Sequence, residues 1–220
     1  MTKRMKIDFV SDISCPWCII GLRGLEEALG RTADLIEADL RFHPYELNPM
    51  MAKEGESVAE HIMRKYGRTL EQSEGTREMI RERAAEVGFV MNSNADSRIY
   101  NTFDAHRLIH WAGVEGSGRQ QALKTRLFEL YFTEQRDPSD PQLLIGAAAS
   151  VGLDAARAAE VLATDAYAEE VRQAEHFWQS QGVHSVPAIV INDRYLISGG
   201  QPPDAFEKAL RSIAGELAEA

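Results

Sequence analysis

The chain has 220 residues, 44% of them hydrophobic, and its 34 acidic against 24 basic side chains leave a net charge of −10. That suits one large packed domain, or one domain carrying an insertion, while the acidic balance argues against the clustered Lys and Arg that a nucleic-acid backbone demands. No apolar run reaches the roughly eighteen residues of a membrane span, and Asp8 and Asp12 interrupt any leader core after the basic N-terminus, so the expectation is a cytoplasmic protein with neither nucleic acid nor membrane as partner.

The first strand is expected over Lys6–Ser11, with Ile7, Phe9 and Val10 as its apolar members. From Cys15 the spacing turns helical: Pro16 suits a first turn, Ile19, Leu22, Leu25, Ala28 and Leu29 recur at three and four, and Gly30 stops the run. A second strand over Leu35–His43 ends at Pro44, Asn48 and Pro49. Strand, helix and strand in that order predict a parallel pair with a right-handed crossover.

Between Met50 and Gln181 no strand is expected. The stretch reads as helices over Ser57–Tyr66, Thr69–Val87, Ser97–Trp111, Ser117–Thr133, Pro141–Val151, Asp154–Ala163 and Ala166–Ser180, punctuated by Gly67, Gly88, Gly113, Gly116, Gly152 and Gly182. Strand signal returns at Ala188–Ile191, followed by an Asn192-Asp193 turn and Tyr195–Ser198, and a last helix opens at Pro203-Asp204 and carries Phe206, Leu210 and Ile213. The result is an α/β sheet domain, residues 1–50 and 182–220, split by an all-helical insertion at 51–181.

The only two cysteines stand three apart, in Cys15-Pro16-Trp17-Cys18. Directly after a strand, this motif puts the first sulfur at a helix N-terminus, where backbone N–H groups and the helix dipole favour thiolate. Cys18 follows one turn later, near enough to close a disulfide. Cys15 is the expected nucleophile and Cys18 the resolving partner in thiol–disulfide exchange. In a cytosolic protein such a bond is usually transient and catalytic, and its loop is too short to stabilise the fold. A zinc site is not expected, because two cysteines supply only half of the usual four ligands.

Ser11-Asp12 before the motif, Ile20-Gly21 after it, the Pro44–Pro49 stretch, Asn101-Thr102 with Ala105-His106-Arg107-Leu108, and Gly182–Ala188 occur in an order that resembles the thioredoxin superfamily. Within it the chain resembles the FrnE-like group of the DsbA family, so a thioredoxin-like fold with a helical insertion between the second strand and the cis-proline strand is implied. The resemblance implies that Val186–Pro187 is a cis-proline bond facing the cysteines, its backbone free to pair with an extended substrate. On the residues alone, the better reading is that Pro187 merely starts an edge strand, and it is the resemblance that reverses this. Spacing makes Asn101, His106 and His110 members of an amphipathic core helix, whereas the resemblance raises Asn101 and His106 as substrate-cleft residues. The buried acid that the family carries six residues before the nucleophile is replaced by Phe9, leaving Asp8 and Asp12 as candidates for proton transfer. No histidine stands between the cysteines, which implies a less oxidising couple than that of DsbA.

The activity implied is disulfide oxidoreduction or isomerisation on a protein or small-molecule thiol, with no cofactor beyond the Cys15–Cys18 couple, glutathione as a candidate co-substrate, and a homodimer as a candidate assembly. Two rivals stand beside it. One is a glutathione-dependent isomerase or transferase resembling 2-hydroxychromene-2-carboxylate isomerase, a group that generally has serine at the first cysteine position. The other is a non-catalytic adaptor presenting partners on the helical block.

Overall fold

The computed structural model describes residues 2–94 and 96–219. Strand β1 (Lys3–Ser11) lies parallel to β2 (Ile36–Pro44), with Lys3 opposite Ile36 and Ser11 opposite Pro44, and helix α1 (Pro16–Arg31) makes the crossover. On its other side β1 pairs antiparallel with β5 (Ala188–Ile191), and β6 (Tyr195–Ser198) completes the order β2-β1-β5-β6. Met5, Ile7, Phe9 and Val10 have no exposed surface, as expected of a central strand covered on both faces. Helix α9 (Pro203–Glu219) packs on α1, inserting Phe206, Leu210 and Ile213 against the apolar stripe of Ile19, Leu22, Leu25 and Ala28.

The insertion contributes α2 (Val58–Tyr66), α3 (Leu70–Glu86), α4 (Phe103–Glu115), α5 (Ser117–Phe128), α6 (Pro141–Ser150), α7 (Ala155–Ala163) and α8 (Ala168–Ser180). Four of their starts are chemically marked. Ser57 with Glu60 and Thr69 with Gln72 form reciprocal capping boxes, and the carboxylates of Asp140 and Asp154 accept the first free N–H groups of α6 and α7. A single apolar cluster runs from Met5 and Phe9 through Leu108, Trp111 and Phe128 to Leu144 and Val161, so sheet and insertion share one core. Edge strand β2 is closed from the insertion side: Gln120 of α5 accepts the Phe42 N–H at 3.2 Å and donates to the Phe42 carbonyl at 3.1 Å.

Several expected boundaries move. Strand is present between Met50 and Gln181 after all, as β3 (Glu56–Ser57) pairs antiparallel with β4 (Arg98–Ile99). Two residues a side are too few to give a periodicity. The helix expected from Ser97 begins at Phe103 instead, because Ser97–Thr102 supplies β4 and the turn in which Asn101 Oδ1 accepts the Phe103 N–H at 2.9 Å. That helix also runs past Trp111 to Glu115, since Gly113 is not a stop but a place where the Gln120 amide comes within 2.7 Å of where a Cβ would stand. The Ser117–Thr133 helix ends as a π-turn over Glu129–Thr133. Tyr167 takes a left-handed φ of 61°, so α8 starts at Ala168 rather than Ala166. β1 begins three residues before Lys6, and β2 is shifted one residue towards Pro44.

Candidate active site

The turn after β1 delivers Cys15 to the N-cap of α1, with φ −93° and ψ 113°, and Pro16 follows as the first helical residue, where its missing N–H costs nothing. Cys15 is 4% exposed and Cys18 is wholly buried. Both are free thiols, and the Cys18 backbone N–H donates to the Cys15 carbonyl at 3.1 Å. Burial first, then Cys15, push the Cys18 thiol well above the ordinary range. Cys15 Sγ lies 3.6 Å from the Val186 carbonyl oxygen, and the Val186–Pro187 bond is cis. The Pro187 carbonyl accepts the Gly199 N–H at 2.8 Å, which fixes this loop to the end of β6. Gly200 then passes so close to α1 that a Cβ there would stand 2.6 Å from the Trp17 carbonyl, a spacing only glycine allows. Trp17 itself is partly buried against the core.

Asp12 is wholly buried beside the cysteines. It accepts the Ser14 N–H at 3.1 Å, the Ser14 hydroxyl at 2.9 Å and the Leu47 N–H at 2.7 Å, and His106 Nε2 of α4 lies 3.5 Å away. Burial is the largest single influence and raises its pKa. The imidazole and the two backbone donors together outweigh it, holding the carboxyl at about 2. Asp8 is elsewhere. On β1 it is 1% exposed, with His43 Nε2 at 2.7 Å and Lys6 Nζ at 3.1 Å, and these partners hold its pKa below the ordinary value although burial acts the other way. His106 is 2% exposed and faces Asp12, while Asn101 ties the start of α4 to the Met51 carbonyl at 3.2 Å. Neither lines the cleft beside Cys15.

That cleft has a volume of about 370 Å3 and opens between the turn before α1 and the insertion. Ser14 and Pro16 form its thiol side, Ile80, Tyr131 and Phe132 contribute apolar wall, and Arg98 and Arg136 stand on its rim. Among the described residues, neither of these arginines contacts a carboxylate. Arg98 instead donates to the Glu54 and Gly55 carbonyls.

Two charged groups, one wholly buried and one partly exposed, were not singled out from the sequence. Lys124 of α5 has no exposed surface. Its Nζ is 3.4 Å from the Ser11 carbonyl and 5.5 Å from the centre of the Phe128 ring. Burial pulls its pKa down to about 8, against an opposing pull from Cys18, Asp12 and Cys15. The available signal was a lysine on the apolar face that Gln120, Leu123 and Leu127 share at spacings of three and four. The second group is Arg172 of α8, which holds both Glu46 and Glu175 and lies 3.8 Å over the Phe103 ring. Burial raises the pKa of both glutamates, and repulsion adds to it, from Glu175 at Glu46 and from Asp12 at Glu175. Nothing in linear spacing joins Glu46 to Arg172.

No helix among the described residues is long and apolar enough to cross a membrane. The family model of the DSBA-like thioredoxin domain matches residues 6–211. The crystal structure of probable DsbA oxidoreductase SCO1869 from Streptomyces coelicolor superimposes with a TM-score of 0.90 at 33% identity, covering 96% of this chain and 91% of that one. The Bacillus subtilis (strain 168) protein YwbO, described as uncharacterized, is 28% identical over 212 residues, 96% of each chain. A 2-hydroxychromene-2-carboxylate isomerase structure shares the fold, with a TM-score of 0.71 at 16% identity over 97% of this chain and 98% of that one. The chain belongs to the DSBA-like thioredoxin domain family.

Proposed function

We propose that this member of the DSBA-like thioredoxin domain family exchanges disulfides through Cys15 and Cys18, with Cys15 as nucleophile and Cys18 as resolving thiol. The observation that carries the reading is the placement of Cys15: it is the more exposed thiol, caps α1, and sits 3.6 Å from the carbonyl that precedes Pro187. A substrate disulfide enters the cleft beside Ser14 and Pro16. Cys15 attacks one of its sulfurs, a mixed disulfide forms, and the first substrate thiolate leaves. Cys18, one helical turn further in with its N–H on the Cys15 carbonyl, then attacks the Cys15 sulfur, closes Cys15–Cys18 and releases the second thiolate. Over the cycle two electrons pass from the cysteine pair to the substrate, and an external thiol such as glutathione returns them. The Val186 backbone is the natural strand partner for an extended substrate segment once Cys15 has turned to the substrate.

Asp12, with a carboxyl at about 2 and its acceptor sites filled by Ser14 and Leu47, serves as an anchor for the turn rather than as a proton carrier at neutral pH. The test is reduction of a protein disulfide such as insulin by the wild type, Cys15→Ser and Cys18→Ser. Cys15→Ser is expected to lose the activity and Cys18→Ser to accumulate a trapped mixed disulfide; equal turnover in the wild type and Cys15→Ser would sink the proposal.

A further inference from the structure

A wholly buried lysine with no carboxylate partner is costly to keep, and exchanging such a charge for an apolar side chain of similar volume commonly stabilises a fold. Lys124 is such a lysine. Its single polar contact is the 3.4 Å approach to the Ser11 carbonyl, and among the described residues it forms no ion pair. The groups that face it are few. Cys15 and Cys18 come from α1 and Asp12 from the turn before it, and of these Cys18 has the strongest hold on its charge. Asp12 is already engaged by Ser14, Leu47 and His106 of α4. From its own helix and from β2, Lys124 has only the Phe128 ring and the Gln120 amide nearby, and the amide is committed to Phe42. The buried ammonium therefore lies against the end of β1 that leads through Asp12 into Cys15, and within electrostatic reach of both thiols, of which Cys18 is as fully buried as itself.

We infer that Lys124 is a positioning residue for the resolving half of the exchange, its ammonium stabilising the thiolate that Cys18 must become. This rests on the reading of Cys15 and Cys18 as the redox couple. In the step concerned, Cys18 loses its proton to solvent and its thiolate attacks the Cys15 sulfur of the mixed disulfide. The Cys15–Cys18 bond forms as the bond to the substrate sulfur breaks, and the departing thiolate takes up a proton. Cys18 needs such help, because burial and Cys15 both oppose its ionisation. Lys124 is a cation that favours it.

Lys124→Met removes the charge and keeps the stem, and Lys124→Arg keeps the charge. Three quantities decide: the ultraviolet thiolate absorbance of Cys18 against pH in a Cys15→Ser background, the rate at which a mixed disulfide between Cys15 and a small thiol releases that thiol, and the thermal midpoint. Lys124→Met is expected to move the Cys18 titration upward by about one pH unit and to slow release at neutral pH about tenfold. Its midpoint should be equal or higher, and Lys124→Arg should restore titration and release. A Lys124→Met protein that titrates and releases like the wild type overturns the inference, and so does one that fails to fold, since Lys124 would then be structural. The titration is read without substrate, so a chain that shows the shift yet exchanges no protein disulfide refutes the proposed function and leaves the role of Lys124 standing.

Discussion

Asp12 and Lys124 are both wholly buried, lie within electrostatic range of one another, and both have a lowered pKa, so each favours the fold more as pH rises, in different windows. The folded-state pKa of Asp12 is about 2 against an ordinary 3.8, so its ionised form binds the native state better than the unfolded one. That contribution is present above pH 3.8 and is lost as pH falls towards about 2; the shift corresponds to about 2 kcal/mol. Lys124 is depressed from 10.5 to about 8, so its burial destabilises the fold at every pH below about 8, and the cost is relieved as pH rises towards 10.5. Its size is about 3 kcal/mol. Denaturant unfolding of Asp12→Asn should therefore show a stability loss at pH 6 that shrinks below pH 3. The difference between Lys124→Met and the wild type should favour the variant at pH 7 and fade above pH 10. A parallel offset at all pH values in either series would mean that packing, not charge, dominates the site. At this scale the sequence was legible where chemistry is local. Cys15 and Cys18 announce themselves by spacing, and Asp12 by adjacency to the motif. His106 and Lys124 acquire their neighbours only when α4 and α5 fold back over the turn, and no linear pattern encodes that.

Among the elements, β2 depends on a side chain from a helix 78 residues away, the separation between Phe42 and Gln120. Gln120→Leu keeps much of the volume but leaves the Phe42 N–H and carbonyl without partners, which should cost about 2 kcal/mol in chemical denaturation. A loss below about 0.5 kcal/mol would mean that water reaches this edge. Helix α8 carries a comparable tie. Arg172 holds Glu46 after β2 and Glu175 one turn along its own helix, and both carboxyls are raised by burial. Arg172→Met leaves two buried carboxylates facing each other and should destabilise the fold by about 2 kcal/mol at neutral pH, a figure reduced because Arg172 is itself partly exposed. The sign can be checked by lowering pH: each glutamate's pKa is raised, so protonation relieves the repulsion and the variant should recover towards pH 5. The elements themselves were largely readable, because β1, α1 and the β5–β6 hairpin carry strong apolar periods and capping residues mark four of the insertion helices. What escaped was β3 with β4, two residues each, and the true start of α4. Both depend on contacts between segments near Gly55 and Ile99, where a Cβ on Gly55 would stand 2.3 Å from the Ile99 carbonyl.

For the whole molecule, the decisive contrast is between a net charge of −10 and the cleft bordered by Ser14 and Pro16, which four arginines line against one carboxylate, Asp96. Of the four, Arg77 and Arg81 are neutralised by Glu74 and Glu78, leaving Arg98 and Arg136 without carboxylate partners among the described residues. A generally anionic surface repels anionic substrates at long range, whereas two unpaired guanidinium groups attract a carboxylate that has already reached the cleft. Such a rim selects charge at short range, in the cleft that Ser14 and Pro16 border. The cleft's size, about 370 Å3, suits a small ligand or a few side chains rather than a folded partner. A disulfide that carries carboxylates, such as oxidised glutathione, should therefore be turned over better than cystamine, which is cationic, or hydroxyethyl disulfide, which is neutral. Arg136→Gln should lower kcat/KM for the carboxylate-bearing disulfide about three- to tenfold at low ionic strength, with little effect on the neutral one. Because both the rim and its ligand are exposed to solvent, added salt should erase most of that difference. An equal fall for the neutral disulfide would show instead that Arg136 shapes the cleft without reading charge. Substrate choice would then rest with the apolar wall of Ile80, Tyr131 and Phe132, and Ile80→Ala would become the variant that separates substrates.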